Sequence, residues 1–369
     1  MKKQLSSIDL HYLVKELQVL KDSRIDKIYQ PEKELIVFSL FRTNAGKKLL
    51  RIDVGKSAFI AGEKGAYGEI LGFGQFLRKH LDTCFLTDII QIEPERILKL
   101  TFKAKEGQKH LYIELFGRGN AVLCDDNNII LNALEQHDYR ERSIRPKLKY
   151  VYPIMGCNLF ELKESDLAGI LKDSKRDNLV ASLATELGLG GLYSEEVCLL
   201  SGIDKNIEPK NISENHIHAI KNAVKKILGQ KIEPYVVFEE SNVIDFIPFD
   251  LKFYSGRKKQ EFGSFNEAVS FFYSQFKEAK ETEQEKRIKS LQRIIEQQQK
   301  TIEELRKEEH ESRQKAEAIY HSYQLVKEVL DEINKASKKY SWKEIKEKLI
   351  GHKIIKEINE KERKVSVEI

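Results

Sequence analysis

The chain is poor in the residues that punctuate or cross-link a fold. Of 369 residues only seven are proline, four cysteine, two methionine and one tryptophan. Cys84, Cys124, Cys157 and Cys198 are scattered, with no CxxC pair among them. That argues against a disulfide framework or a zinc finger and suits a reducing compartment. No two histidines have metal-ligand spacing beside a carboxylate, so no metal, cofactor or catalytic centre is expected. No apolar run is long enough to span a bilayer, and Met1-Lys2-Lys3 leads into no signal-peptide segment. A cytoplasmic chain without membrane contact is therefore expected. An excess of one charge is lacking too: 63 Lys and Arg against 58 Asp and Glu leave +5. Any nucleic-acid surface must then be a local patch.

Glycine and proline are missing altogether from residues 265–339. Along that stretch Ile288, Leu291, Ile295, Gln298, Ile302 and Leu305 begin a 3,4,3,4 spacing that continues to Ile333. One helix can keep such a seam only by under-winding slightly against a partner. The reading is a coiled-coil arm over 276–340, on the order of 100 Å long at about 1.5 Å per residue. Polar Gln298, Glu309 and Ser312 soften its middle, and a two-helix hairpin broken near 309–313 is the competing reading. The seam has no partner within the chain, which points to a homodimer. Beyond the arm, 341–369 reads as a small tip. Ser341 and Glu344 form a capping box that opens a short helix, and KERKVSVEI ends on a strand with no evident mate.

The remainder reads as α+β. SSIDLHYLVKELQVL is an amphipathic helix with Ser7 as cap and Asp9 in the first turn, where a carboxylate suits the helix dipole. Six short β-branched or aromatic segments between Arg24 and Val151 predict a mostly antiparallel sheet, interrupted by one helix near 68–82. Gly55-Lys56-Ser57 lacks the glycine a phosphate loop needs five residues earlier, and Gly72-Phe73-Gly74 lacks the third glycine of a dinucleotide fingerprint. Two turns remain as possible surface sites: Glu93-Pro94-Glu95-Arg96, and Phe116–Asn120, where Arg118 could reach a phosphate or a carboxylate. Arg140, Arg142, Arg145, Lys147 and Lys149 surround Tyr139 and Tyr150, a mixture that favours unpaired or folded RNA but also describes ordinary solvated loops. Residues 160–230 turn helical around Leu187-Gly188-Leu189-Gly190-Gly191, which resembles a helix-hairpin-helix, and strands return at 234–254.

The order of segments and the stretches SSIDLHYLVKEL, RIDKIYQP, FLRKHL, QIEPERI, ELFGRGN, LGLGGLYSEEVCLLSGIDKN, SFNEAVSFFY and SWKEI resemble the NFACT family (RqcH- and NEMF-like proteins, once called fibronectin-binding-protein-A-like). The likeness covers essentially the whole chain, is strongest to archaeal members, and stops before the family's C-terminal NFACT-R domain. It implies a β-rich NFACT-N module at 1–165, an inserted helix-hairpin-helix domain at 166–232, a return of the module at 233–275, the coiled-coil arm at 276–340 and the tip at 341–369. It also implies a function without an independent catalytic site. The large ribosomal subunit would be bound with its stalled peptidyl-tRNA, and aminoacyl-tRNA, here alanyl-tRNA, would be brought in for untemplated C-terminal tailing. By position, Asp9 and Arg96 match the residues the family uses for tailing. Glu95 stands where an aspartate is usual. Arg118, Arg140, Arg142, Arg145 and Lys147 join them as expected tRNA contacts. A formamidopyrimidine-glycosylase-like enzyme is disfavoured because Met1-Lys2-Lys3 supplies no N-terminal proline and glutamate. A coiled-coil scaffold without RNA contact and a surface adhesin are further, weaker readings.

Overall fold

The computed structural model describes residues 2–62, 70–154, 156–275, 283–350, 352, 354–360 and 362–367. These fall into two units, 1–277 and 278–369, each considered by itself.

The first unit begins with helix α1 (Ser7–Leu17). Ile8, Leu10, Tyr12, Leu13 and Leu17 are all buried, so the helix is wrapped on most sides and not merely laid on a surface. Its cap is Ser6, one residue earlier than the sequence suggested. Ser6 Oγ accepts from the Asp9 backbone N–H, while the Asp9 carboxylate accepts from the Ser6 backbone. This reciprocal box requires the acid three residues after the cap. Ser6 has that spacing, and Ser7, followed by Leu10, does not.

Nine strands then form one antiparallel sheet: β1 (Ser23–Glu32), β2 (Leu35–Arg42), β3 (Gly46–Asp53), β4 (Ser57–Ala61), β5 (Phe85–Gln91), β6 (Ile97–Ala104), β7 (Gly107–Glu114), β8 (Asn120–Cys124) and β9 (Ile130–Ala133). Their spatial order is β4-β3-β2-β1-β5-β6-β7-β8-β9. The join between β1 and β5 consists of two residue pairs, Ser23 with Leu86 and Arg24 with Phe85. Phe38 on β2 nevertheless stacks on Phe102 of β6, ring centroids 5.8 Å apart. Three inter-strand steps of about 4.8 Å would hold β2 and β6 well apart in a flat sheet. The two halves therefore fold toward each other across the short join and bury one core. Helix α2 (Gly72–Leu81) lies between β4 and β5 in the chain, and Arg78 Nε donates to the Ile28 carbonyl on β1.

A short hairpin, β10 (His137–Asp138) with β11 (Ser143–Ile144), precedes four helices: α3 (Glu164–Asp173), α4 (Leu179–Thr185), α5 (Gly190–Ser201) and α6 (Glu214–Leu228). A separate sheet in the order β13-β12-β14 follows, from β12 (Tyr235–Glu239), β13 (Asn242–Ile247) and β14 (Lys258–Glu261). Helix α7 (Phe265–Gln275) closes the unit. The Glu16 carboxylate accepts from the Phe265 and Asn266 N–H groups, capping α7 with a charge on α1. The Asn266 side chain bonds both backbone groups of Ile60, so the outer edge of β4 is covered.

In the second unit, α8 (Glu283–His321) and α9 (Tyr323–Ser337) are separated by one residue, Ser322, at φ −106 and ψ 24. Backbone bonds of 3.0 Å from Ser322 to Ala318 and from Val326 to Ser322 keep the ladder running on both sides. The helical run thus passes through 309–313 and is interrupted at 322 instead. Seam residues Leu291, Ile295, Ile302, Leu305 and Leu330 are each at least half exposed. Helix α10 (Trp342–Lys348) starts at the Ser341–Glu344 capping box. The terminal strand, expected to lack a mate, has one: β15 (Ile355–Asn359) pairs antiparallel with β16 (Lys364–Val367). Val329 and Ile333 on α9 are buried, as are Ile345 on α10 and Ile358 on β15.

Two turns from opposite halves of the sheet meet backbone to backbone. A Cβ on Gly119 (φ +75) would sit 2.2 Å from the Gly55 nitrogen, whereas one on Gly117 (φ +59) would meet nothing. Gly119→Ala should therefore cost about 2–5 kcal/mol, strain plus overpacking. Gly117→Ala should cost about 1 kcal/mol, strain alone. Urea unfolding of both variants checks this, and equal losses would refute the close-approach argument.

Candidate functional site

Of the sequence-expected residues, Asp9, Glu95 and Arg96 come together at the start of α1. Asp9 is fully buried yet accepts from several donors: Ser6 N at 2.7 Å, Ser6 Oγ at 2.7 Å, Lys2 Nζ at 3.0 Å and Tyr193 OH at 2.8 Å. Lys2 is shared. Its ammonium also lies 3.1 Å from Asp245, donates to the Phe246 carbonyl at 2.8 Å and sits 4.2 Å from the Phe246 ring centroid. Tyr254 OH donates in turn to Asp245. Burial pushes the Lys2 pKa down, but Asp245 and Asp9 outweigh it and the net shift is upward. Asp9 is thus a structural anchor joining α1 to α5 and β13, and dipole decoration is the lesser part of its role. Its two carboxylate oxygens are already occupied, so an RNA contact at Asp9 itself is not available.

The turn from Gln91 to Arg96 is stitched to the same helix end. Ser7 Oγ donates to the Pro94 carbonyl, and Gln91 Nε2 donates to the Ser7 carbonyl and to that of Glu95. Arg96 Nη1 donates to Gln4 Oε1 at 3.0 Å and to the Leu5 carbonyl at 3.3 Å. Nε and Nη2 have no acceptor among the described residues. Burial lowers the Arg96 pKa, opposed by Glu95 and by Asp9, and a guanidinium remains charged at neutral pH regardless. Glu95 is half-buried. Burial raises its pKa against the pull of Arg96, the Gly156 backbone N–H and Arg142. Arg96 and the acids are near neighbours that share a field, without a direct ion pair between them.

Arg118 belongs to the same end of the unit. Its backbone carbonyl meets Gly55, and the residue after that glycine, Lys56, accepts from the Leu5 N–H at 3.0 Å. The Arg118 side chain is exposed. The basic run divides in three. Arg142 does not face solvent. It makes a bidentate pair with Glu114 at 2.7 and 3.0 Å, both side chains nearly inaccessible, and Tyr150 OH donates to the same carboxylate at 2.8 Å. This corrects its expected role as a phosphate contact, because its donors already have an anion. Arg145 is paired with exposed Asp138. Arg140, Lys147 and Lys149 remain exposed and form no ion pair with any described residue. Sequence reasoning missed Lys2, Gln4, Tyr193, Asp245 and Glu114. Only the Ser6–Asp9 spacing carried a signal that could have led to this site.

Among the described residues no group of three His, Cys, Asp or Glu could hold a metal ion, and no helix is long and apolar enough to cross a membrane. A groove of about 580 Å³ beside the cluster is lined by Lys2, Ala181, Gly191, Glu195, Asp245 and Tyr254. Its two carboxylates make that side of the glycine turn a poor phosphate cradle.

His11, near Asp9 on the same helix, reports on the packing of this end. It stacks on Phe160 at 4.8 Å, and burial, with help from Lys15, pushes its pKa down to about 4. Glu93, 3.7 Å away, does not reverse that. A depressed folded pKa means the unfolded chain binds the proton more readily. Stability from this group is therefore intact above about pH 6.5, falls from there to about pH 4, and changes no further below. The ceiling on the loss is about 3 kcal/mol. His11→Phe should flatten that part of the profile in urea unfolding across pH 4–7. An unchanged slope would place the acid sensitivity elsewhere.

The comparisons with known proteins agree with this architecture. A family profile described as the NFACT N-terminal and middle domains matches residues 6–364. An archaeal Rqc2 homolog, aRqcH of Methanocaldococcus jannaschii, is 30% identical over 380 residues, which is 98% of this chain and 55% of that protein. The human ribosome quality control complex subunit NEMF is 25% identical over 379 residues, covering 94% of this chain and 35% of NEMF. Among solved structures, a fibrinogen-binding protein from Staphylococcus aureus superposes with a TM-score of 0.62 at 18% identity, over 73% of this chain and 98% of its own; this likeness concerns the fold alone. The chain thus spans about half or less of the length of these sequence relatives, and with the profile covering nearly all of it, it belongs to the NFACT family.

Proposed function

We propose that this chain acts in ribosome quality control. In this reading it binds the large ribosomal subunit carrying a stalled peptidyl-tRNA and brings alanyl-tRNA to it for untemplated tailing. Peptide-bond chemistry would remain the ribosome's own. Relatives named for ribosome quality control support the general role. For the finer role, the single supporting observation is Arg96. Its guanidinium is fixed by Gln4 and Leu5 at the end of a buried helix, while Nε and Nη2 still point a donor edge at no described acceptor. A planar fork held in this way suits a phosphate or a base edge, and a nearby Asp9–Lys2–Asp245 cluster keeps its mount rigid. Glu95 keeps the acidic charge at its position with one more methylene. Exposed Arg118, Arg140, Lys147 and Lys149 would supply additional phosphate contacts, and the helical block with its glycine turn is read as a helix-hairpin-helix module.

Arg96→Ala should leave the melting temperature nearly unchanged while lowering aminoacyl-tRNA recruited to large subunits about tenfold or more, the loss expected for a charge-assisted pair. Arg96→Lys should not restore it, since an ammonium cannot reproduce the fork. Co-sedimentation of labelled alanyl-tRNA with stalled large subunits checks both. Recruitment at the unmodified level by a folded Arg96→Ala protein would remove Arg96 from the mechanism.

The arm is read as a coiled coil that mates with a second copy, because its exposed apolar seam is out of place on a single helix in water. Sedimentation should show concentration-dependent self-association, abolished by Ile295→Asn with Ile302→Asn. A monomer at every concentration would defeat that reading.

A further inference from the structure

The register of the large sheet sets up a row of residues apart from the Arg96 site. Lys47 on β3 pairs with Phe41 on β2, Phe41 with Arg24 on β1, Arg24 with Phe85 on β5, and Phe85 with Lys103 on β6. Residues directly opposite one another in a ladder point to the same face. These five therefore alternate cation and phenyl across five adjacent strands. The face is the outer one, because the neighbouring rungs Ile25–Leu40 and Leu86–Phe102 are buried. Phe41 is 43% exposed and Phe85 47%, and the three cations are exposed. Asp26 takes Lys47 at 2.5 Å. Arg24 and Lys103 make no ion pair with any described residue, and neither ring contacts another aromatic or lies beneath a cation among them. Part of each ring and two charges are left open.

Scattered exposed apolar residues are ordinary. Two phenyl rings in one register, each flanked by cations, are a platform. The rings stand on strands separated by β1, two strand spacings or about 10 Å at the backbone, and the inward fold at the β1–β5 join splays outer-face side chains further apart. Bases stacked in a strand lie about 3.4 Å apart, so successive stacked bases cannot reach both rings. Splayed, unpaired bases can, one on each ring, with the intervening phosphates beside Arg24 and Lys103. A duplex keeps its base faces covered and offers only charge. Asp22 and Asp26 flank Arg24 along the chain, so the charge of the row is modest and stacking has to supply most of the affinity.

We propose that the Phe41–Arg24–Phe85–Lys103 row is a docking surface for unpaired RNA, a single-stranded end or an opened loop, distinct from the Arg96 site. It would name which RNA feature this face takes in the ribosomal role proposed above. Its assay uses free oligonucleotide and no ribosome, so failure here and failure of that role are separate results. Binding of a labelled single-stranded RNA and of the same strand annealed to its complement is measured by anisotropy. Phe41→Ala with Phe85→Ala should weaken single-strand binding roughly tenfold per ring and leave duplex binding unchanged. Phe85→Trp should retain it. Arg24→Gln and Lys103→Gln should each flatten the log affinity against log salt slope by roughly 0.7. Photo-crosslinking of the unmodified protein to thiouridine-labelled RNA should mark Phe41 or Phe85, which tests the surface without any variant. The proposal is overturned if the double alanine variant binds the single strand as before, if single strand and duplex lose equally, if an acidic peptide competes as well as RNA does, or if no crosslink falls on this face.

Discussion

One buried ammonium organises the first unit. Lys2 is held between Asp9 and Asp245, and its third donor meets the Phe246 carbonyl. A charge so far from water is tolerable only when fully partnered, and removing one member of such a set typically costs about 3–5 kcal/mol because the others are left uncompensated. Two carboxylates against one ammonium leave the cluster one charge negative, which is why Tyr193 and Tyr254 both turn their hydroxyls inward as donors. The result joins the N-terminal segment, α1, α5, β13 and the turn after it at one point. The same N-terminal segment carries the Ser6 cap and the Gln4–Arg96 bond, so Lys2 helps to place both.

A second buried pair plays the same part for the other half of the sheet. Glu114 sits at the end of β7, and Arg142 reaches it from the loop after β9, with Tyr150 on the same carboxylate. Tyr150 stacks on Tyr112 at 4.2 Å, so the pair is roofed by aromatic rings. Loss of Arg142 would leave a desolvated carboxylate among those rings. Damage there would be read first as instability, and a binding assay alone could mistake it for a lost RNA contact.

How much of this could be read from the chain divides along a physical line. Strands β1, β2, β3, β6, β7 and β8, the amphipathic α1 and the Ser341–Glu344 box are local patterns that formed where their residues called for them, whereas β4, β5 and β9 were not read and the α1 cap lies one residue earlier than expected. From Glu283 to His321 the seam segment is one helix, and the one-residue interruption at Ser322 has no sequence counterpart. The ion cluster was illegible because Lys2 and Asp245 are separated by nearly the whole unit, and nothing in a lone lysine says which carboxylate will find it. Arg142 misled for a related reason. A basic residue between aromatics looks the same in sequence whether the rings stack on RNA or roof an ion pair, and the distinction rests on Glu114, which belongs to another strand. The mate of β16 was missed because β15 is five residues long and lies between charged turns, too short a run to stand out.

The basic residues of the candidate site then sort by exposure and partners more than by charge. Arg118, Arg140, Lys147 and Lys149 are long side chains in water on turns; each can neutralise a phosphate, but none can dictate where that phosphate lies. Arg142 has geometry, but its guanidinium already holds the Glu114 carboxylate bidentately and both side chains are nearly inaccessible. Arg96 alone of the expected set combines a mount fixed by two neutral acceptors with donors still open. Neutral acceptors matter here. Had Asp9 or Glu95 closed on the guanidinium directly, an arriving phosphate would have to displace a carboxylate. With Asp9 occupied by Lys2, Ser6 and Tyr193, its charge is felt by Arg96 without competing for the fork. The buried cluster therefore does two things at once: it fixes the segment before α1 that holds the Arg96 guanidinium, and it keeps the Asp9 carboxylate from closing on the donors that Arg96 leaves open.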